Sequence, residues 1–296
     1  MKRVLVTGGT GFVGRHLVRS LAADGIEVHV PTRATSARRP ALPAATLLHP
    51  LERPSVDVAE LIARVEPDTV FHLATHFVAR HRPAELADMV DSNVTLGTVV
   101  AEAAVAAGAR LVHTTSAWQH HGGAEYDPVS LYAAMKQAFV DVVRYFAEVD
   151  GLDAREVCLF DTYGPDDDRH KLVDVLLDGA VTGATLDMSS GTQLVDLTHV
   201  SDVVAGLRVA AEHPGPVRGR FVLRSGAPVT VRALTDVVRD VTGRPLDVRW
   251  GTRPDRPREM REDWRVTSEP WDWSPELSLE AGLADVWAAR DGGEDR

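Results

Sequence analysis

The chain has 296 residues, a charged fraction of 25%, a net charge of -11 and a pI of about 5.5. It is long enough to bury a large core, in one domain or two closely joined ones, and its acidity argues against a nucleic acid or an anionic membrane as partner. Cys158 is the only cysteine, which excludes an intrachain disulfide, and the apolar run at the N-terminus is too short for a signal peptide or a membrane span, so a cytoplasmic protein is expected.

The first element is a β-branched run over 3–7 (RVLVT), closed by glycine and read as a buried strand. Helical spacing follows over 12–23, then a second strand over 26–31 cut off by proline. A helix over 56–65, a strand over 69–74, a long helix over 90–109 and a strand over 110–116 continue the alternation. A helix over 130–149 and a strand over 154–161 complete it. Strands alternating with crossovers long enough to be helical predict an α/β fold, a doubly wound parallel sheet covered on both faces. After residue 161 the rhythm weakens: a polar loop, helices over 171–184, 200–213 and 229–243, and short strands near 194–198 and 220–223 predict a smaller C-terminal α/β lobe. Residues 251–275, rich in Pro, Arg and Trp, read as ordered loops. The expected division is 1–161 for the sheet domain, with the helix near 199–212 packing back on it, 162–290 mainly for the second lobe, and 291–296 as a frayed tail.

The segment TGGTGFVG (7–14) lies between the first strand and the first helix. There Gly8 permits a tight turn, Gly11 lets the backbone approach a pyrophosphate, and Gly14 allows close packing of helix on strand. The amides at the helix start meet the phosphate charge. The end of the second strand selects the dinucleotide. An acid there would bind both ribose hydroxyls of NAD, but Pro31 and Thr32 occupy those positions and Arg33 follows. Arg33, with Arg38 or Arg39, is placed to clamp a 2′-phosphate; an exposed, solvated arginine cluster is the plainer alternative. NADP(H) is therefore expected over NAD(H).

Lys2, Lys136 and Lys171 are the only lysines, and Lys136 stands four residues after Tyr132. That spacing puts both on one helix face. An ammonium there stabilises the phenolate and brings a tyrosine towards acid–base work at neutral pH. The segment HTTSAWQ (113–119) supplies a hydroxyl at the carboxyl end of a strand, where open α/β sheets place their ligands.

Taken in order, TGGTGFVG, FHLAT, SNVTLGT, TTS, YAAMK, YGP and HVSDVV resemble the extended short-chain dehydrogenases/reductases, the sugar-nucleotide epimerase/dehydratase group. The resemblance runs from residue 3 to about 284. It implies a Rossmann-type sheet, a lobe that grips a nucleotide sugar, and Ser116, Tyr132 and Lys136 as the catalytic set, with Thr115 as the alternate hydroxyl. For the cofactor it implies Gly8, Thr10, Gly11, Phe12, Val13, Arg33, Leu73, Ala74, Thr75, Thr114, Phe160 and Thr162, together with Tyr132 and Lys136. It also implies a homodimer formed through helices near 86–107 and 130–149.

Dehydrating and decarboxylating members carry acids just after the strand hydroxyl, where this chain has Ala117 and Trp118. That leaves net reduction or 4-epimerisation. The absent NAD-type acid favours an NADPH-dependent ketoreductase, and SAWQHHGG, YDPVSLYAAMKQAF and LFDTYGP resemble reductases of nucleotide-linked 4-keto-6-deoxyhexoses, the paratose and abequose synthase type. On that resemblance Trp118, Gln119 and Asp161 are substrate-side candidates, with Asp161 either contacting the sugar or the nicotinamide amide or only capping the turn before Tyr163. His120 (with His121), His170, Lys171, Gln193 and Arg253 are further substrate-side candidates. Val195 stands where the family often has Arg, and Arg253 is the natural substitute. No metal site is expected. Asp202 is expected to cap or orient its helix, Trp264, Trp271 and Trp273 to pack, with stacking on a base as the sharper alternative, and Cys158 to lie in the core. A 4-epimerase with bound NAD, a non-catalytic NADP(H)-sensing protein and a reductase of non-sugar carbonyls are the rival readings.

Overall fold

The computed structural model describes residues 1–34, 42–215, 217 and 219–291. Arg38, Arg39 and residues 292–296 of the expected tail lie outside the described residues.

The sheet domain runs β1 (Arg3–Thr7), α1 (Phe12–Ala23), β2 (Glu27–Arg33), β3 (Leu47–Leu51), α2 (Pro54–Val65) and β4 (Thr69–His72). It continues through α3 (Leu86–Val90), a π-turn (Asp91–Thr95), α4 (Leu96–Ala107), β5 (Arg110–Ser116), α5 (Leu131–Val149) and β6 (Ala154–Leu159). The rest of the chain forms β7 (Asp161–Tyr163), α6 (Leu172–Thr182), β8 (Leu186–Asp187), β9 (Leu194–Val195), β10 (Leu197–His199) and α7 (Val200–Glu212). It ends with β11 (Arg220–Leu223), β12 (Val229–Thr230), α8 (Val231–Thr242), β13 (Val248–Arg249) and α9 (Leu279–Asp291).

Seven strands form one parallel sheet in the order β11-β6-β5-β4-β1-β2-β3. The order reverses between β1 and β4, which opens a crevice at the carboxyl ends of those strands. Val4, Val6, Val30 and Phe71 pack on the α1 and α7 side of the sheet, and Leu5, Val70 and Leu111 on the α2, α4 and α5 side. Both faces are buried, so the central strands read as continuous apolar runs. After residue 161 the chain returns to this domain first with α7, which packs on the same face of the sheet as α1. Strand β11 completes the sheet beside β6, and Trp271 stacks on Phe221 with ring centres 4.7 Å apart. A separate core of α6, α8 and α9 residues, including Leu176, Leu234 and Leu283, makes the smaller lobe.

Several elements differ from the sequence expectation, among them the short strands β8, β12 and β13, where no strand is expected. β3 is an additional strand: Pro50 within LLHPL masks it, and a proline is tolerated because β3 is an edge. The helix expected over 90–109 starts earlier, at Leu86, and runs on through a π-helical insertion that turns Asn93 inward. The strand expected over 154–161 stops at Leu159; β7 then leaves the sheet and pairs with β10. α9 is an addition: it lies between the loops expected over 251–275 and the tail expected over 291–296, where no element is expected. Among the described residues no helix is long and apolar enough to cross a membrane.

Candidate active site

A cleft of about 1270 Å³ lies over the carboxyl ends of the strands, between the sheet domain and the smaller lobe. Its first wall is the glycine loop. Gly8 has φ +69°, and a Cβ there would sit 2.6 Å from the Ala74 amide nitrogen. A Cβ on Gly14 would sit 2.1 Å from the Gly8 carbonyl oxygen. Only glycine allows the loop to close on both sides. Gly11 caps α1 with extended backbone and no side-chain acceptor, and no acid stands in the first turn. The amides of Phe12 and Val13 are left to an anion, as a dinucleotide pyrophosphate requires. Thr10, Leu73, Ala74, Thr75, Thr114, Phe160 and Thr162 line the same cleft. At the end of β2, Pro31, Thr32 and Arg33 face it with no carboxylate, and Arg33 is exposed with no ion pair to any described residue. These features fit an adenine dinucleotide.

Ser116 ends β5 and its Oγ accepts from the Trp118 amide at 3.3 Å. Ser130 caps α5, its Oγ accepting from the Ala133 amide at 3.3 Å. That cap sets Tyr132 in the first turn, near the positive helix end, with Lys136 one turn on. Tyr132 lines the cleft with Ser116. Lys136 is buried behind it, donating from Nζ to the Thr114 carbonyl at 2.9 Å, with Nζ 5.9 Å from the Tyr132 ring centre. Burial pushes the Tyr132 hydroxyl up to about 12, against a contact with Thr75 that lowers it. Burial also brings Lys136 down to about 8. In the protein alone, desolvation of the phenol sets the direction of the Tyr132 shift.

The loop after β4 is held by Asn93, which lies in the SNVTLGT motif but is given no role there. Its Oδ1 accepts from the Thr75 hydroxyl at 2.7 Å and the His76 amide at 2.9 Å, while its Nδ2 donates to the His76 carbonyl at 3.0 Å. This clamp fixes Thr75 beside Tyr132 and presents Phe77 to the cleft.

Two substrate-side expectations need correction. Gln119 is buried and outside the cleft lining, accepting from the Ser116 amide and donating to Gln137, each at 3.0 Å. His120 is fully buried, its Nδ1 2.7 Å from the Glu125 carbonyl and its Nε2 3.3 Å from Arg220. Both residues shape the loop between β5 and α5 and neither reaches the cleft, because short 3₁₀ turns fold that loop inward. Arg220 is its anchor, donating to Glu156 at 3.1 Å and Glu125 at 2.7 Å. Trp118, Asp161, His170, Lys171, Gln193 and Arg253 do line the cleft. Asp161 is solvent-accessible at the cleft wall, yet the protein around it raises its carboxyl, with Lys171, Arg169 and Arg256 opposing. The Gln193 Oε1 is buried without a partner among the described residues, an acceptor left for a ligand donor. Arg256, not singled out by the sequence, acts electrostatically on both Asp161 and Lys171, and Arg253 lies beside it on the same exposed loop. Asp202 accepts from the Leu277 amide at 3.2 Å, tying the C-terminal segment to α7. Trp264 and Cys158 are buried in one core cluster. Among the described residues no group of three or more His, Cys, Asp or Glu is placed to hold a metal ion.

Comparison with known proteins agrees with this architecture. Residues 4–223 match the model of the NAD dependent epimerase/dehydratase family. The chain is 29% identical over 305 residues to the UDP-glucose 4-epimerase of Mycolicibacterium smegmatis, covering 95% of this chain and 96% of that protein. It is 28% identical over 315 residues to the dTDP-6-deoxy-L-talose 4-dehydrogenase (NAD(P)(+)) of Kitasatospora kifunensis, covering 97% and 95%. It is 22% identical over 292 residues to the CDP-abequose synthase of Salmonella muenchen, covering 95% and 96%. Its fold superposes on the UDP-glucose 4-epimerase of Thermotoga maritima, solved with UDP-glucose, with a TM-score of 0.86 at 22% identity over 99% of both chains. A Rossmann sheet, a glycine turn open to a pyrophosphate and a Ser–Tyr–Lys set, joined to a family match over most of the chain, make this protein a member of the NAD dependent epimerase/dehydratase family, the extended short-chain dehydrogenases/reductases.

Proposed function

We propose that this protein reduces the 4-keto group of a nucleotide-linked 4-keto-6-deoxyhexose with NADPH. The observation that carries the reading is the company Ser116 and Tyr132 keep. The two hydroxyls share the cleft with Trp118, while Ala117 is buried beside them. The positions used for water elimination or decarboxylation hold no acid, so chemistry at C4 is what remains. Arg33, without an acid before it, favours a 2′-phosphate. Bound at the glycine turn, NADPH would supply the hydride to C4. Ser116 Oγ would hydrogen-bond the carbonyl oxygen and orient it. Tyr132, kept protonated by its burial, would hold the proton that the same oxygen takes as charge develops. Lys136, fixed by Thr114, would place positive charge behind the phenol. Gln193, Lys171 and Arg256 would meet the polar end of the nucleotide sugar.

A second reading is 4-epimerisation with retained NAD, favoured by the similarity to the Mycolicibacterium smegmatis UDP-glucose 4-epimerase. One experiment separates the two. The protein is given NADPH and dTDP-, CDP- or UDP-4-keto-6-deoxyglucose, and nicotinamide absorbance is followed. A parallel sample with UDP-glucose and no added cofactor is assayed for UDP-galactose. Cofactor oxidation with a keto sugar supports the reductase. Epimer formation without NADPH consumption overturns it, and tight NADPH binding with neither reaction points to a non-catalytic role.

A further inference from the structure

We infer that Phe77 and Trp118 form the wall that receives C6 of the sugar, so that the site selects 6-deoxyhexoses over hexoses with a C6 hydroxyl. The inference deepens the proposed function and rests on its placement of C4 at Tyr132.

Phe77 is 40% exposed in a chain whose other phenylalanines lie mostly in the core. It stands in the loop that Asn93 clamps, so its position is built rather than incidental. Its ring lies 5.0 Å from the Tyr132 ring at 79° and 5.4 Å from the Trp118 ring at 61°. These are edge-to-face contacts at favourable separations. Three segments thus bring three aromatic rings together, one of them that of the proton donor Tyr132. Val129 and Leu194 line the cleft and pack against the same core cluster as Trp118, extending the apolar surface. Asp161, Gln193 and Arg256 line the same cleft, and Lys171 is the charged group that stands at the Phe77 ring.

A hexose with its C4 at Tyr132 has two neighbours to that carbon. One is C3; the other is C5, which carries C6. In a 6-deoxyhexose the C5–C6 side is hydrocarbon apart from the ring oxygen. An apolar aromatic wall beside Tyr132 matches that side. A C6 hydroxyl there would lose water without gaining a hydrogen bond to a ring. A C6 carboxylate would meet the same rings, although Lys171, whose Nζ is 3.9 Å from the Phe77 ring centre, offers it a charge. The uronate is therefore the discriminating competitor.

The test is binding, which needs no keto group. Cofactor-saturated protein is titrated calorimetrically with dTDP-6-deoxygalactose, dTDP-galactose and dTDP-galacturonate, and with the uridine and cytidine counterparts. These sugars differ only at C6. The 6-deoxy sugar is expected to bind roughly ten- to a hundredfold tighter than the hydroxylated one, the range an apolar pocket achieves against an added hydroxyl. Phe77→Ser and Trp118→Ala should each shrink that ratio to within about threefold, while Phe77→Leu keeps most of it. Unchanged melting temperature and cofactor affinity identify variants that are still folded. Equal affinities in the wild type, tighter binding of the hydroxylated sugar or the uronate, or a ratio untouched in both Phe77→Ser and Trp118→Ala would overturn the inference. A 6-deoxy preference without NADPH-dependent turnover sinks the reductase reading and leaves the C6 wall standing; turnover without preference does the reverse. If no nucleotide sugar binds, both fall.

Discussion

Lys136 Nζ donates to the Thr114 carbonyl at 2.9 Å, which ties the lysine on α5 to the strand that ends in Ser116. The bond joins the two elements that carry the proposed catalytic groups. It also leaves an ammonium in a buried place, where it is brought down to about 8. Tyr132 in the same place is pushed up to about 12. Near neutral pH the phenol is thus a retained proton and Lys136 is mostly charged. That is the state a reductase needs before hydride transfer.

Replacing Tyr132 with Phe removes that proton while keeping the ring that packs on Phe77. Turnover of a 4-keto sugar should fall by about 10²- to 10⁴-fold, the usual contribution of a positioned general acid. Cofactor affinity should change little. Steady-state kinetics with fluorescence titration of NADPH checks both; retention of more than a tenth of the activity would remove Tyr132 from the mechanism.

Lys136 gives a pH dependence with a definite sign. Its folded value, about 8, lies below its ordinary value of 10.5. Between the two the unfolded chain binds the extra proton, so stability rises with pH across this interval and the burial penalty is complete below about 8. Activity should run the other way, falling above pH about 8 as the ammonium is lost. Lys136→Met should therefore be inactive yet melt at least about 2 °C higher near neutral pH. Lys136→Arg, which stays charged, should carry its residual activity further into alkali. Rate profiles and melting scans across this range measure both effects, and an alkaline limb shared by wild type and Lys136→Arg would contradict the assignment.

Arg33 lies at the end of β2, exposed and lining the cleft, with Pro31 and Thr32 in place of an acid. Arg33→Ala should weaken NADPH roughly ten- to a hundredfold through the loss of a charge-assisted phosphate contact, and NADH by less than about threefold. Dissociation constants for the two cofactors decide it. Equal losses for both would refute the phosphate clamp.

Local patterns in the sequence made the sheet, the glycine turn and the Tyr132–Lys136 pair readable, because each depends on a strand or helix period or on backbone freedom within a few residues. β3 was hidden because Pro50 breaks the strand pattern, and only its edge position makes the proline tolerable. His120 was misplaced for a different reason. Its position after the strand hydroxyl suggested the substrate, but its partner Arg220 is 100 residues away in sequence. Glu125 is 95 residues from the same arginine. Contacts of that separation leave no local periodicity. Phe77 had a weak signal, an exposed aromatic just beyond a strand end, but nothing in sequence brings Trp118 to it.

The Arg220 cluster shows what such a contact stabilises. Its side chain and that of Glu156 are 10% and 13% exposed. Glu125 on the same arginine is largely exposed and contributes little. Arg220→Met leaves the Glu156 carboxylate buried without its ion pair, a loss of about 3–5 kcal/mol. Adding Glu156→Gln should recover at least about 1 kcal/mol, since the uncompensated charge is gone. The loop between β5 and α5 should loosen with it, raising KM more than it lowers kcat. Denaturant unfolding of the two single variants and the double variant completes the cycle; simple additivity would mean the pair is not coupled.

The buried histidines beneath α5 should make the fold sensitive to acid. His72 and His113 are cross-strand neighbours on β4 and β5. Phe139 packs edge-on to both, at 5.2 and 5.3 Å. The Thr7 hydroxyl lies 2.9 Å from the His72 Nδ1, whereas the His113 Nδ1 is buried with no partner among the described residues. Burial, with the charge of Lys136 adding to it, brings both imidazoles from 6.5 down to about 3. The unfolded chain protonates them near 6.5 and the folded chain does not, so it binds more protons and stability is lost as pH falls from about 6.5 towards 3. Two such groups should give a steep fall in unfolding free energy over that interval, beyond the carboxylate contribution. His113→Phe should lower the proton uptake on unfolding by about one at pH 5. Calorimetric unfolding in buffers of different ionisation enthalpy reads that number directly, and an uptake identical in wild type and His113→Phe would show that His113 is not held neutral in the fold.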